Sequence, residues 1–465
     1  MTMRFACTSS VVAWTLAFAV AGAFGQDCAT HVALLGENFD LSSAATPQRL
    51  HPWPAFDGVH DQYMVVWLDS RNPGNNDIFG QRVSGDGQLL GDNFPVIEFP
   101  DSQSNPCIAF NAQEAEFLVS WRTQHGGAFN QGYGRRVDAA GAPIGGQFFI
   151  SNGGFEASLS YNPSKNEYFY SGRNFAGGGP AGIRGRRIDA EGNLVGPDIT
   201  IAPSGAPDGQ AVYNPTADHY FATWRDQNVR NLQGAIFDPE GNRIAGPFII
   251  SPRFPASGLA ASVAVDPVLN RYFVVYGDFT ESEVYAQFVD SHGAPIGDEI
   301  PVALGLPSRV SPFAVFHEGA GLFVVAWGSA SSVAAMVLNA DGVPLGDPVD
   351  VVVGTAIGDP RMAYNGAAGE VLVTWADSRN QGQGEADIFA QLLGVEGVTA
   401  RIRKAKCRGA DLTVKMTGGV PRDNVSVVLS SGETRVSRVK NSGKAKAKFL
   451  NVPDRRGTAA ASWGC

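Results

Sequence analysis

Apolar residues are not spread evenly along this chain of 465 residues. They gather in short blocks of β-branched and aromatic side chains. The blocks are Tyr63-Met-Val-Val-Trp67, Phe117-Leu-Val-Ser-Trp121, Tyr168-Phe-Tyr-Ser-Gly172, Tyr220-Phe-Ala-Thr-Trp224, Tyr272-Phe-Val-Val-Tyr276, Phe323-Val-Val-Ala-Trp327 and Val371-Leu-Val-Thr-Trp375. Their last residues lie 54, 51, 52, 52, 51 and 48 apart. A fixed period of about 50 residues marks a repeat architecture. Each block has strand length and strand composition and is bounded by turn residues. A short apolar strand ending in a turn precedes each one, as in Ala157-Ser-Leu-Ser-Tyr161-Asn-Pro and Met362-Ala-Tyr364-Asn-Gly. A variable loop and a third strand follow, as in Ile78-Phe-Gly-Gln-Arg-Val83 and Tyr285-Ala-Gln-Phe-Val289. Next come an Asp/Gly turn, such as Asp86-Gly87 or Asp341-Gly342, and a fourth strand after a P-I-G or P-L-G lead-in, such as Phe148-Phe-Ile-Ser151 or Phe248-Ile-Ile-Ser251. No helical periodicity appears.

Four short antiparallel strands per unit is the pattern of a β-propeller blade. There are seven central blocks, but a fourth strand follows only the first six; the seventh unit stops at Gln391-Leu-Leu-Gly394. The missing strand stands at the other end, where Leu34-Leu35-Gly36-Glu-Asn-Phe39 reads like Leu89-Leu90-Gly91-Asp-Asn-Phe94. The expected fold is therefore all-β: a seven-bladed propeller over 26–397, closed by its N-terminal strand. Leu35 to Ser42 are expected to pair with Ile388 to Leu392. Closure removes a bare strand edge and ties the two ends of the array together. It also makes neighbours of two near-copies 308 residues apart, WLDSRNPGNNDIFGQRV from Trp67 and WADSRNQGQGEADIFAQLL from Trp375. Their likeness reflects either a recent duplication or two loops facing one site.

In strand count and closure the array resembles WD40 and kelch propellers. It has neither the Gly-His/Trp-Asp pair of the first nor the Gly-Gly signature of the second. The repeat Y-x-V-x-W-x-D followed by G-Q-R-V-x-x-x-G-x-x-L-G is similar to that of large secreted bacterial propeller proteins, over about 370 residues. That resemblance implies a fold and almost nothing about activity.

Composition adds a compartment. With 56 glycines, 28 prolines and only 17% charged residues, the chain is turn-dense and unlike a helical protein. Residues 1–25 read as a signal peptide: Arg4 ahead of the apolar stretch Val11 to Ala23, then Ala23-Phe24-Gly25, with cleavage before Gln26. The stretch is too short for a stable transmembrane helix, and no other reaches membrane length. The mature protein is expected to be secreted, extracellular or periplasmic. Cys28, Cys107, Cys407 and Cys465 remain after cleavage, without zinc spacing, and an even count in an oxidising compartment suggests two disulfides. Chain proximity favours Cys407–Cys465; the pairing of Cys28 and Cys107 is left open.

Charge divides the chain. Residues 26–397 hold 19 Lys and Arg against 41 Asp and Glu, whereas 398–465 hold 15 against 4. The acidic propeller argues against a nucleic-acid partner. The basic tail alternates, as in Leu412-Thr-Val414-Lys-Met416 and Val425-Ser-Val427-Val-Leu429, and is expected to be a small β-sandwich-like domain. It resembles the short Ig-like modules appended to secreted bacterial proteins. Lys444, Lys446 and Lys448 share one strand face. They suit an anionic surface such as cell-surface polysaccharide, a solvated face or charged protective edge, or docking onto the acidic propeller; the solvated or protective face is favoured.

No catalytic motif is present: no GxSxG, no HExxH, no phosphate-binding loop and no Ser-x-Asp-x-Gly-x-x-Trp box of the sialidase type. The histidines are scattered. Propellers bind ligands over the central channel, on the face of the second-to-third-strand loops and the interblade loops. The candidates there are Asp69, Arg71, Arg122, His125, Arg173, Arg225, Asp226, Asp278, Asp377 and Arg379. Such a mixed ring suits carbohydrate or peptide. A competing structural reading has Asp69 and Asp377 capping turn amides, with Arg71 and Arg379 paired to Asp77 and Asp387. The oxygen-rich loop from Asp69 to Asp77 raises calcium, but its central arginine and non-EF-hand spacing count against it, and no cofactor is expected. The favoured function is a secreted or cell-surface binding propeller without chemistry of its own. The alternative is a carboxylate-dependent glycoside hydrolase or lyase, with Asp69, Asp226, Asp278 and Asp377 as candidate acids.

Overall fold

Each 50-residue unit has enough apolar residues for a strand buried on both faces, and that demand shapes the molecule. The computed structural model describes residues 2–6, 30–42, 49–72, 74–125, 129–174, 182–202, 209–255, 261–278, 280–308, 310–329, 331–380 and 386–396, and tail strands between 401 and 463. Seven four-stranded antiparallel sheets form the propeller. The first six follow sequence order from the channel outwards. Blade 1 is typical: Arg49–Asp57, Gln62–Asp69, Asp77–Ser84 and Leu89–Ile97. The innermost strands of the others are Ser102–Asn111, Phe155–Asn162, Gly209–Asn214, Ser262–Asp266, Val310–His317 and Ala356–Asn365. Each touches the next, and the last touches the first, so the ring is complete. Among the described residues every element is a strand.

The second strand of each blade is the recurrent apolar block. Gln62–Asp69 is buried at every position, because a neighbouring blade covers each side. Seven apolar clusters fill the seven blade interfaces. The cluster between blades 7 and 1 joins Leu41, Tyr63, Val65 and Trp67 to Ile388, Ala390 and Leu392.

Closure is as expected and slightly longer. His31–Asp40 pairs antiparallel with Asp387–Glu396, with Leu35 opposite Leu392 and Phe39 opposite Ala390. Leu41 N–H donates to the Ile388 carbonyl at 2.7 Å, and Ile388 N–H donates to Ser42 Oγ at 2.8 Å. The register shifts between Leu35 and Phe39, where Gly36 takes φ 76°, a left-handed conformation that glycine adopts at little cost. Gln391 reads this bulge. Its Nε2 donates to the Leu35 carbonyl at 3.0 Å, and its Oε1 accepts from Asn38 Nδ2 at 2.8 Å. In blade 1 Gln81 does the same within one continuous segment, donating to the Gly91 carbonyl at 3.1 Å and accepting from Asn93 at 2.7 Å. That is the structural meaning of G-Q-R-V…L-G. Blade 7 uses the same lock across the two chain ends.

Two further contacts fasten blade 7 to blade 1. Gly87, at φ 87°, lets its turn lie on the closing blade; a Cβ there would sit 2.9 Å from Leu392 Cδ1. On the face of the first-to-second-strand turns, Asn365 Nδ2 donates to Asp61 Oδ1 at 3.1 Å. Matching bonds run from Asn111 to Asn166, from Asn162 to the Tyr220 hydroxyl and from Asn214 to Asn270. The recurring turn asparagine thus caps its own turn and reaches the next blade.

The tail strands make two sheets. One is three-stranded: Arg401–Arg408, Asp411–Thr417 and Lys444–Phe449. The other is four-stranded: Arg456–Trp463 lies between Thr2–Ala6 and Asn424–Leu429, and Thr434–Arg438 follows. Removal of a leader ending before Gln26 would take Thr2–Ala6 with it. Lys444–Phe449 is an edge strand and Lys446 is exposed; the Lys444 and Lys448 side chains lie outside the described residues. Residues 7–25, Cys28 and Cys465 lie outside the described residues, and so does the Cys407 side chain, so the Cys407–Cys465 bridge does too. The expectation of a disulfide at Cys107 is corrected. Cys107 is a free thiol, fully buried, packed with Leu118, Ile150 and Tyr170 and 3.0 Å from Ser120 Oγ. Burial pushes its thiol up to about 12, so it behaves as a small apolar residue.

Deleting residues 26–43 is expected to lower stability by several kcal/mol. The strand's hydrogen bonds, about 1 kcal/mol each, and its apolar burial go together. Thermal melting and size-exclusion chromatography check this: the truncated protein should melt well below the intact form and associate through its bare edge. Equal melting of a monomeric truncation would contradict closure.

Candidate functional site

The repeated W-x-D-S-R motif is the natural starting point, because the structure brings its two copies side by side. Asp69 ends its strand with its carboxylate fully buried. It accepts from Trp67 Nε1 at 2.9 Å, Arg71 N–H at 2.9 Å and Arg71 NH2 at 2.6 Å. Asp377 accepts from Trp375 Nε1 at 2.8 Å, Arg379 N–H at 2.9 Å and Arg379 NH2 at 2.6 Å. Each guanidinium then lies on the phenyl ring of the D-I-F segment: Arg71 over Phe79 at 3.8 Å and Arg379 over Phe389 at 4.1 Å. The motif is a self-satisfying corner in which indole, amide and guanidinium share one carboxylate. Its amide-capping half is as expected; its ion pairing is corrected. Arg71 pairs with Asp69 rather than Asp77, and Arg379 with Asp377 rather than Asp387. Asp77 instead takes Asn72 and Asn75. Asp387 takes Arg49, which sequence reasoning did not single out.

Arg49 joins the two copies. Wholly buried, it donates from Nε to Asp69 at 3.0 Å and from NH1 to Asp387. A buried guanidinium is tolerable only with such paired, hydrogen-bonded anions. Burial pushes the Asp69 carboxyl up, but hydrogen bonds from Arg71 and Trp67 and the charges of Arg49 and Arg71 outweigh it and hold Asp69 below its ordinary value. Asp377 is likewise pushed up by burial and held low on balance by Arg379 and Trp375.

The other carboxylates are also committed locally. Asp226 caps its loop through Asn228 and Val229 N–H. Asp278 accepts from Thr280 N–H at 2.7 Å, Thr280 Oγ1 at 2.6 Å and Glu281 N–H at 3.0 Å, with Arg253 at 3.4 Å. Of the four acids considered for glycoside chemistry, Asp69 and Asp377 belong to neighbouring corners, each holding its own arginine; Asp226 and Asp278 sit in loops of blades 4 and 5. His125 is held by Asp101 at 2.6 Å.

The arginines differ. Arg122, Arg173 and Arg225 follow Trp121, Gly172 and Trp224, at one equivalent position on the second strands of blades 2, 3 and 4. Arg225 is buried, 5.1 Å from the Phe254 ring. Burial lowers Arg173, and the charge of Arg225 adds to that. Arg122 donates from Nε to Ser104 Oγ at 2.8 Å and lies 4.0 Å over Phe155. Burial alone lowers it.

The channel wall carries further groups that sequence reasoning missed. The inner strands of blades 7, 1, 2 and 3 each bulge, with register shifts at Ile357/Arg361, Leu50/Trp53, Ser104/Cys107 and Phe155/Ser158. The inner strands of blades 4, 5 and 6 run without a shift. His51, Asn105 and Glu156 occupy equivalent bulge positions with φ of 56°, 51° and 47°. Left-handed non-glycine residues cost of order 1–3 kcal/mol each and concentrate at functional sites. His51 is exposed, yet the surrounding protein pushes its ring down; Arg361 and Arg122 push it the same way and Asp359 opposes them. Arg361 lies beside the edge-on Trp53 and Phe313 rings, 5.2 and 5.5 Å from their centroids, and its NH1 donates to the Pro360 carbonyl at 2.9 Å. The only signal in the sequence was His51-Pro52, Asn105-Pro106 and Asp359-Pro360 at the same place in three units. Among the described residues no cluster of metal ligands occurs.

Replacing Arg49 by Met should destabilise the protein by about 3–5 kcal/mol, since the Asp69 and Asp387 carboxylates lose a buried partner; chemical denaturation measures it. The low carboxyls of Asp69 and Asp377 carry a pH signature. Because their folded values lie below the unfolded value of 3.8, their contribution is present above that pH and lost below it. Denaturation midpoints should therefore fall steeply below pH 3.8, and less steeply in Asp377→Asn.

No protein-family model matches the chain, and no curated protein matches it in sequence. Among solved structures it is similar to the Hadza microbial sialidase Hz136, at 12% identity and TM-score 0.43 over 76% of this chain and 68% of that one. It is also similar to the Dos1 propeller, at 9% identity and TM-score 0.42 over 76% of this chain and 94% of that one. Both likenesses are distant, and the propeller assignment rests on the seven sheets themselves.

Proposed function

We propose that this protein is a recognition propeller: it binds an extracellular carbohydrate or protein ligand at the channel mouth and catalyses no reaction. The observation that carries this is the contrast between its acids and its bases. The acids named for hydrolysis are bound up in their own turns or corner motifs. Hydrolysis needs two carboxylates about 5–10 Å apart across a shared cleft. Channel-wall groups on blades 7, 1 and 2, by contrast, sit on strained bulges or aromatic faces, an arrangement suited to holding a ligand rather than to proton transfer. The leader-like N-terminus supports export, and the basic tail supports attachment to an anionic surface. Calcium forms no part of this reading.

A glycan and peptide array probed with the mature protein tests it. Saturable binding to a defined ligand class is expected, with no product from that ligand after prolonged incubation. Turnover of a glycan by the purified protein would overturn the reading in favour of a hydrolase or lyase.

A further inference from the structure

We propose that the joint between blades 6 and 7 carries a proton-sensitive link at His317, and that acidification releases it. A repeated contact changes its chemistry there. The innermost strands end on Asp57, Asn111, Asn162, Asn214, Asp266, His317 and Asn365. In six blades this residue is thus an Asn or Asp, and its side-chain oxygen caps amides of its own turn. Asn111 does so for Gln113 and Glu114 N–H, and Asp266 for Val268 and Leu269 N–H. Asn111, Asn214 and Asn365 also reach into the next blade's turn, to Asn166, Asn270 and Asp61. Those partners are left-handed residues, with φ of 53°, 50° and 53°. In blade 7 the same turn position is Gly369, at φ 76°, which offers no side chain to meet. The longer imidazole of His317 spans that gap to the backbone.

The ring is buried. Its Nε2 donates to the Gly369 carbonyl at 2.9 Å, and its Nδ1 accepts from Ala320 N–H at 3.1 Å. A carbonyl only accepts and an amide N–H only donates, so the two contacts together fix one neutral tautomer, with its proton on Nε2. The ring packs on Tyr364 of blade 7, centroids 4.9 Å apart, and a Cβ on Gly369 would lie 3.4 Å from Nε2. One side chain therefore caps its own turn and holds the next blade, but only while neutral. A proton on Nδ1 sets two N–H donors against each other at Ala320 and puts a charge into a buried joint. The Tyr364 hydroxyl, 3.4 Å from Nδ1, already accepts from Gly319 N–H at 3.2 Å. Among the described residues no carboxylate forms an ion pair with this ring, unlike those of His60 and His125. The ionisable groups around it are Tyr364, Glu318 exposed on its own turn, and Glu370 next to Gly369 on blade 7. Burial pushes the ring down, opposed by the carbonyls of Gly369 and of His317 itself.

Because the folded value lies below the ordinary 6.5, the link's contribution is whole above that pH and is lost as the pH falls through the folded value. Chemical denaturation of the full mature chain at about pH 7.5 and about pH 5 tests this. The comparison is the double variant His317→Asn/Gly369→Asn, which installs the pairing that blades 2 and 3 make through Asn111 and Asn166; asparagine tolerates the left-handed turn. At about pH 5 an unfolded imidazole is protonated roughly thirtyfold over neutral, which sets the upper limit of the effect. Between the two pH values the wild-type unfolding constant should rise at least about fivefold more than that of the variant, and a smaller excess overturns the link. The other histidines are common to both proteins and cancel. Where the variant fails to fold at neutral pH, NMR of isotope-labelled histidine in the wild-type chain decides. His317, recognised by its contacts with the Tyr364 ring, should hold the Nε2–H tautomer and titrate below 6.5. An Nδ1–H ring, or one that titrates at or above 6.5, overturns the link.

Discussion

One non-covalent strand pairing holds the whole architecture. A propeller blade buries its second strand on both faces only if neighbours exist on both sides, and a linear array of seven leaves its ends uncovered. Pairing His31–Asp40 with Asp387–Glu396 turns the array into a ring in which every blade has two neighbours. The same device that finishes blade 1, a glutamine reading the carbonyls of a bulged outer strand, finishes blade 7 across the chain ends. Closure thus needs no special chemistry.

The joint between first and last blades also carries a buried ion network. Arg49 is buried between Asp69 of blade 1 and Asp387 of blade 7, and both copies of W-x-D-S-R converge there. Two corners of like construction sit on either side of the seam, each with its indole, carboxylate and stacked guanidinium. Arg379 also reaches Asn38 of the closing strand at 3.2 Å. A buried ion network is a poor source of net stability but a good source of register, and register is what a seam without covalent continuity requires.

Blade number, strand order and closure were legible in the sequence because each depends on the spacing of apolar residues, which the chain states seven times. The site was legible only in part. Arg122 stands out as a charge after an apolar strand, and the structure does put it at the wall. Asp69, Asp226, Asp278 and Asp377 stand out for the same reason yet serve their own turns, because a carboxylate beside free amides satisfies those amides first. His51, Glu156 and Arg361 were invisible: their roles depend on a backbone bulge, and left-handed φ at a histidine or glutamate has no residue-type signature as it has at glycine. Cys107 misled because an even cysteine count says nothing about burial.

Native-state hydrogen exchange across the seam tests the central claim, that the N-terminal strand is an integral blade strand that closes the ring. The hydrogen-bonded amides of His31–Asp40 should exchange as slowly as those of Leu89–Ile97 in blade 1, through openings close to global unfolding. Exchange of the N-terminal strand orders of magnitude faster than its blade 1 counterpart, as a fraying terminus would show, would contradict the account.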